Sequence, residues 1–348
     1  MWTGVPGSLV GEQPRYPCAP LEQHKMLVQI LLALAGLALL TFAADHLVLG
    51  SSRLAARLRI SPVVVGVVVI GLGTSTPEFL VSALAAGRGD TGLALGNLVG
   101  SNILNLTLIL GIAALITPFA VDSTVIRREV PLAVASVAVF AVLAWWGLSP
   151  ITALMAALAT AGALYLLIRW ARASGNQEVT AEVTEFNTAG GAVVAGAASR
   201  LPAWFEPVRT VLGLAGVLAG AQLLVVNAAT IATELGVPQL VIGFTLVALG
   251  TSLPELVTTI QAQRRGETDL VVGNLFGSNL FNGLAGGALV GVASGMDHPA
   301  RTGLPLLAAM VCTALIAWAL LRRGLRLGRA DGLMLLGAYA LTLPLLTT

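Results

Sequence analysis

The chain has 348 residues, 56% of them apolar and only 10% charged, with 19 Lys and Arg against 17 Asp and Glu. Soluble domains carry about a quarter charged residues, so this balance, with a mean hydropathy of +0.89, excludes an ordinary globular protein and points to an all-α polytopic membrane protein. A net charge of +2 says little about partners; no nucleic-acid partner and no obligate protein partner are expected beside the lipid bilayer. Cys18 and Cys312, the two cysteines, can support neither a disulfide framework nor a zinc site.

In chain order, residues 1–25 are polar and rich in Pro and Gly, without the pattern of a signal peptide, and read as an N-terminal tail. Ten apolar runs follow, at about 26–50, 60–86, 91–116, 130–148, 151–170, 208–230, 237–262, 270–293, 304–321 and 331–346. Each is near the roughly 20 residues that cross a bilayer as a helix. Between the fifth and sixth lies a polar stretch, 171–206, expected to be a cytoplasmic linker between two five-helix halves at 26–170 and 207–348.

The halves repeat each other. Residues 72–105 align with 249–282 at a constant offset of 177 without a gap, matching at 18 of 34 positions. The repeated segments are Gly-Thr-Ser-x-Pro-Glu at Gly73–Glu78 and Gly250–Glu255, and Gly-Asn-Leu-x-Gly-Ser-Asn at Gly96–Asn102 and Gly273–Asn279. If loops alternate sides, 15 Lys and Arg fall on one side and four on the other. The positive-inside bias then places both termini outside the cell membrane. An odd number of helices per half makes the two halves inverted repeats, with the substrate site expected at the midplane between them.

Ser75-x-x-Glu78 and Ser252-x-x-Glu255 have the form of a capping box, and Pro77 and Pro254 suit the first turn of a helix. Such a restart inside an apolar run predicts helices broken at mid-membrane, where freed backbone groups must line a cavity or bind something. An acid there is a functional site by default. Glu78 and Glu255, hydroxyls of Thr74, Ser75, Thr251 and Ser252, carbonyls at 71–74 and 248–251 and amide oxygens further on form an all-oxygen ligand set. Oxygen suits hard cations such as Ca²⁺, and the lack of thiolate or imidazole argues against zinc, copper or iron. Ser101 with Asn105, and Ser278 with Asn282, place a hydroxyl and an amide one turn apart on an opposing helix. The glycines at 96, 100, 273 and 277 are expected to permit close backbone approach.

The doubled segments resemble the two α-repeats of the sodium/calcium exchanger family, within the cation/calcium antiporter superfamily. The resemblance implies an antiporter that exchanges Na⁺ for Ca²⁺ by alternating access, with these ions as transported cargo, no organic cofactor and no enzymatic activity. It implies that Glu78 and Glu255 are shared Ca²⁺ and Na⁺ ligands and that the backbone oxygens of Thr74 and Thr251 complete the Ca²⁺ site. Ser75, Ser252, Ser101 and Ser278, with the carbonyls of Gly71 and Ala248, would line Na⁺ sites, and Asn105 and Asn282 the central region. Proton-coupled relatives tend to carry Gly-Asn-x-x-Glu instead, which makes H⁺-coupled divalent-cation antiport the alternative. Potassium-dependent relatives carry Asp where this chain has Asn105 or Asn282. A cation channel would not need inverted halves. An intramembrane hydrolase would need a base beside Ser75 or Ser252, and the chain's Lys25 and three His, at 24, 46 and 298, all lie outside the repeats.

Among the remaining residues, Asp45 is expected to hydrogen-bond near a span end, and Trp145 and Trp146 to sit in an interfacial belt. Gly213, Gly216 and Gly220 suit either a sliding surface or plain close packing.

Overall fold

Apolar segments that must pair every backbone amide without water have one local solution, the α-helix, and the chain adopts it through nearly all of its described length. The computed structural model describes residues 19–58, 60–174, 202–237, 248–296 and 299–346. In the first half, α1 spans Ala19–Leu58. Next come α2, Pro62–Thr74, and α3, Thr76–Gly87, bent from each other by 43°. They are followed by α4 at Thr91–Ile116, a short α5 at Ser123–Arg127, α6 at Glu129–Trp146 and α7 at Pro150–Ser174. The second half runs through α8, Phe205–Glu234, α9, Ala248–Thr251, α10, Leu253–Arg264, and α11, Thr268–Ser294. It ends with α12, Leu304–Gly324, and α13, Arg329–Leu346. Two-residue strands β1, Phe119–Ala120, and β2, Arg326–Leu327, pair antiparallel between the halves.

Among the described residues seven helices are long and apolar enough to cross a membrane, and α2 with α3 makes a bent eighth. The two other expected spans are helical where described, at α9–α10 and α13. Part of the run at 237–262, most of the linker at 171–206 and most of the tail at 1–25 lie outside the described residues. The expected boundaries fall short at several ends: α1 extends to Leu58 and α8 covers 30 residues, because polar ends of long helices continue past their apolar stretches.

Local chemistry sets the breaks. Ser61 accepts the amide of Val63 and Pro62 follows it, which starts α2. Asp90 caps α4 by accepting the Leu93 amide at 3.0 Å. Gly89 and Gly266, separated by the same offset of 177, take φ of +82° and +74° where the chain turns into α4 and into α11. The repeat also fixes irregular turns: α4 has a π-helical stretch at Asn105–Ile109 and α11 one at Asn282–Gly286, again 177 apart. Such π-bulges occur frequently at functional sites.

The halves interlock. α1 packs along α8 so closely that a Cβ on Gly220 would stand 2.5 Å from the Leu40 amide and one on Gly213 2.7 Å from that of Leu47. Gly213, Gly216 and Gly220 therefore form a tight contact with α1. The fifth helix of each half packs on the third helix of the other: α13 meets α4 at Gly332 and Gly111, and α7 meets α11 at Ala153 and Gly291. α2 lies against α11, where a Cβ on Gly273 would stand 2.6 Å from the Val63 carbonyl and one on Gly277 2.6 Å from Val67 Cα.

The loops sort onto two faces. Ser52 donates to Glu267 at 2.6 Å, Arg53 pairs with Glu206 at 3.3 Å, and Gln263 donates to the Thr117 carbonyl. With the β1–β2 pair, these contacts place the loops after the first, third, fifth, seventh and ninth expected spans on one face. Desolvation holds the Glu267 carboxyl there above its ordinary range, against the pull of the Ser52 hydrogen bond and the Arg265 charge. On the opposite face Leu148 bridges to Ala300, and Gln29 donates to Glu234 at 3.1 Å.

Because the Val67 backbone cannot move aside, Gly277→Ala overpacks the α2–α11 contact and should lower stability by about 1–3 kcal/mol. Gly87→Ala, with nothing within 4 Å of the new methyl group among the described residues, should leave it unchanged. Thermal unfolding of the two detergent-purified variants compares them directly.

Candidate ion-binding site

Ser75 and Ser252 occupy the N-cap positions of α3 and α10, with proline in the first turn of each helix, as a restart requires. Neither side chain caps its own helix, which corrects the capping-box expectation. The Ser75 hydroxyl instead donates to Glu255 Oε1 at 3.2 Å, and the Ser252 hydroxyl to Glu78 Oε1 at 3.1 Å. Each break thus points its hydroxyl at the acid of the other half. The Thr74 hydroxyl donates to the Ile70 carbonyl at 2.9 Å and lies 3.4 Å from Asn274 Oδ1. Both glutamates are wholly buried, as are Thr74, Ser75, Ser278, Asn105 and Asn282.

The opposing helices close the network. Ser101 on α4 lies 3.4 Å from the Ser252 hydroxyl, and Ser278 on α11 donates to the Gly71 carbonyl at 3.2 Å and faces Glu255 Oε1 at 3.4 Å. One turn further on, Asn105 Nδ2 donates to Asn279 Oδ1 at 3.1 Å, and Asn279 Nδ2 to the Asn102 carbonyl at 2.8 Å. Gly71 is where α2 comes closest to this wall, since a Cβ there would meet the Ser278 amide at 2.9 Å. Its carbonyl was expected to be freed by the break. It accepts from both the Ser75 amide, at 3.3 Å, and Ser278. Ala248 begins α9.

Several acceptors have no hydrogen-bond partner among the described residues: Glu78 Oε2, Glu255 Oε2, Asn102 Oδ1, Asn105 Oδ1 and Asn282 Oδ1. Leaving a buried polar atom unpaired costs about 1–3 kcal/mol, more when it is charged, so the arrangement suits a cation that coordinates them. Among the described residues no group of three or more His, Cys, Asp or Glu forms. Two carboxylates surrounded by neutral oxygens are what the site offers.

Two residues escaped the sequence reading. Asn97 donates from Nδ2 to the Glu78 carbonyl at 3.2 Å and to Ser82 at 2.9 Å. Asn274, 177 residues later, donates to the Glu255 carbonyl at 3.4 Å and to Thr259 at 3.2 Å. Both amides tie the first turn after the break to the opposing helix of the same repeat. The signal was present, since they are identical residues of the repeated Gly-Asn-Leu motif, but a lone Asn in an apolar helix looks like packing. Asp45, by contrast, lies away from the site: its two carboxylate oxygens accept from Arg265 Nε and Nη2, both at 2.7 Å.

The model of the family described as sodium/calcium exchanger protein matches residues 28–171 and 206–348. The chain belongs to the sodium/calcium exchanger family. It is 38% identical over 322 residues to the putative antiporter CaxA of Alkalimonas amylolytica, covering 90% of this chain and 97% of that one. To the sodium/calcium exchanger MaX1 of Methanosarcina acetivorans it is 30% identical over 353 residues, covering 92% and 98%. The fold is similar to that of the sodium-calcium exchanger NCX_Mj soaked with 2.5 mM Na⁺ and 0.1 mM Ca²⁺. That match has a TM-score of 0.77 at 31% identity and covers 91% of this chain and 98% of that one. As a member of this family the chain is a multi-pass membrane antiporter and not an enzyme.

Removing the amide that fixes the Glu255 main chain should cost about 1 kcal/mol. Asn274→Ala is therefore expected to weaken the Ca²⁺-induced rise in melting temperature, moving its midpoint severalfold to higher Ca²⁺. An unchanged midpoint would show that the amide does not position the glutamate.

Proposed function

We propose that this protein exchanges Na⁺ for Ca²⁺ across the cell membrane by alternating access. The observation that carries the reading is the crossed pair of buried acids, each held through Oε1 by the serine of the other half and each with a second oxygen unpartnered among the described residues. Glu78 and Glu255 are its shared ligands for Ca²⁺ and Na⁺, and the backbone oxygens of Thr74 and Thr251 complete the Ca²⁺ position. Ser75, Ser101, Ser252 and Ser278, with the carbonyls of Gly71 and Ala248, line the Na⁺ positions, and Asn105 and Asn282 the centre. The names of MaX1 and NCX_Mj support Na⁺ as the counter-ion.

The physical logic is charge balance. Two ionised carboxylates about 4–8 Å apart repel by about 2–4 kcal/mol at an effective dielectric near 20, and burial adds desolvation to that cost. An empty site is therefore poorly suited to the transition between open states. Loading with one Ca²⁺, or with Na⁺ ions, neutralises it, so cargo of either kind permits the passage and the two fluxes are coupled. Halves at 26–170 and 207–348, joined by a cytoplasmic linker at 171–206, move against each other around the site. The loop face that gathers Arg53, Arg127, Arg265 and Arg322 is the cytoplasmic one, which puts both termini outside.

In proteoliposomes, uptake of radiolabelled Ca²⁺ should require an opposing Na⁺ gradient. Uptake that proceeds equally well without it would sink the exchange reading, and uptake sustained by a pH gradient in its place would assign H⁺ as the counter-ion. Glu78→Gln and Glu255→Gln are each expected to reduce the coupled flux to background. Normal transport by either variant would remove that residue from the ligand set.

A further inference from the structure

We propose that a cleft between the α5–α6 turn and the end of α12 binds the phosphate of an anionic phospholipid headgroup. The cleft encloses about 660 Å³ and is lined by Ile126, Arg127, Pro131, Trp318, Arg322 and Leu325. It lies at the polar ends of two membrane-crossing helices, Val125–Trp146 and Leu304–Gly324, at the depth where headgroups sit. Its two guanidinium groups come from opposite halves of the chain. They are brought together by the β1–β2 pair and by the Val121 amide, which donates to the Leu325 carbonyl at 2.9 Å.

Charge and shape both select an amphipathic anion. Among the described residues the ion pairs formed by arginine involve Arg53, Arg209, Arg265 and Arg323, so neither Arg127 nor Arg322 has a carboxylate partner. Two arginines lining one cleft suit a phosphate diester, whose oxygens accept several hydrogen bonds at once. The receptor is fixed in advance. Trp318 donates its indole N–H to the Ile126 carbonyl at 3.4 Å, and Arg322 lies 5.8 Å above the centre of the same ring. Leu325 holds a left-handed turn at φ +54° and leaves its side chain 40% exposed beside the arginines. Beside Pro131 it offers an apolar wall to the glycerol and upper acyl carbons, which a free phosphate ion would not use.

The lipid would join the α5–α6 turn to the α12–α13 turn, where the two halves meet on the basic face. Its test is thermal unfolding of the purified full chain in neutral detergent with added phosphatidylglycerol, phosphatidylcholine or inorganic phosphate. Phosphatidylglycerol should raise the melting temperature by several degrees more than phosphatidylcholine. The increment should disappear in Arg127→Gln/Arg322→Gln and be partly restored in Arg127→Lys/Arg322→Lys. Arg57→Gln, an arginine of the same face outside the cleft, should keep it. An increment that survives Arg127→Gln/Arg322→Gln, or that inorganic phosphate reproduces in full, would overturn the proposal. Native mass spectrometry of the same variants reports bound lipid directly, so a loss of stability in the glutamine pair cannot be mistaken for a loss of binding.

Discussion

Two carboxyl groups buried in an apolar bundle set the terms for the rest of this structure. Among the described residues neither Glu78 nor Glu255 is paired with a basic side chain, and each accepts a hydrogen bond from a serine of the other half. That crossed arrangement demands that both helices break at the same depth, so Pro77 and Pro254 stand directly after the breaks. It also demands that α2 approach α11 to backbone contact, which Gly71, Gly273 and Gly277 allow. A larger side chain at any of these would push apart the elements that bring the acids together.

Around the acids the network is symmetric in its supports and asymmetric at its centre. Asn97 and Asn274 make matching bonds to the carbonyls of Glu78 and Glu255. Asn105, however, is anchored through its Nδ2 to Asn279, whereas its mate Asn282 has no partner among the described residues for either amide atom. Asn279 spends its own donor on the Asn102 carbonyl, and Asn102 turns its Nδ2 to the sulfur of Met310 at 3.5 Å. One amide is thus held by a neighbouring side chain and its counterpart is not. The repeat supplies the parts twice, and packing assigns them different duties.

Much of this was legible in the sequence, because membrane chemistry punishes polar residues that lack a purpose. The doubled Gly-Thr-Ser-x-Pro-Glu announced both breaks, and the run predicted at 91–116 is the observed α4. What the spacing of Ser75 and Glu78 could not tell was which partner the serine takes, since a capping box and a cross-repeat bond use the same residues. The π turns at Asn105 and Asn282 were equally hidden, because an extra residue in a helical turn leaves no mark in an apolar composition. Asp45 was expected to hydrogen-bond near a span end, and it does, but its partner Arg265 lies 220 residues away and could not be named from the sequence.

The crossed hydroxyl–carboxylate bonds bear on how such a chain could have arisen. Each half carries one acid and one serine of this crossed pair, and the serine bonds the acid of the other half instead of its own. A half-length ancestor would have completed this arrangement only as an antiparallel pair of identical subunits, inserted in both directions through the same membrane. Gene fusion would then have removed the need for dual insertion, and only afterwards could positions such as 105 and 282 diverge in role.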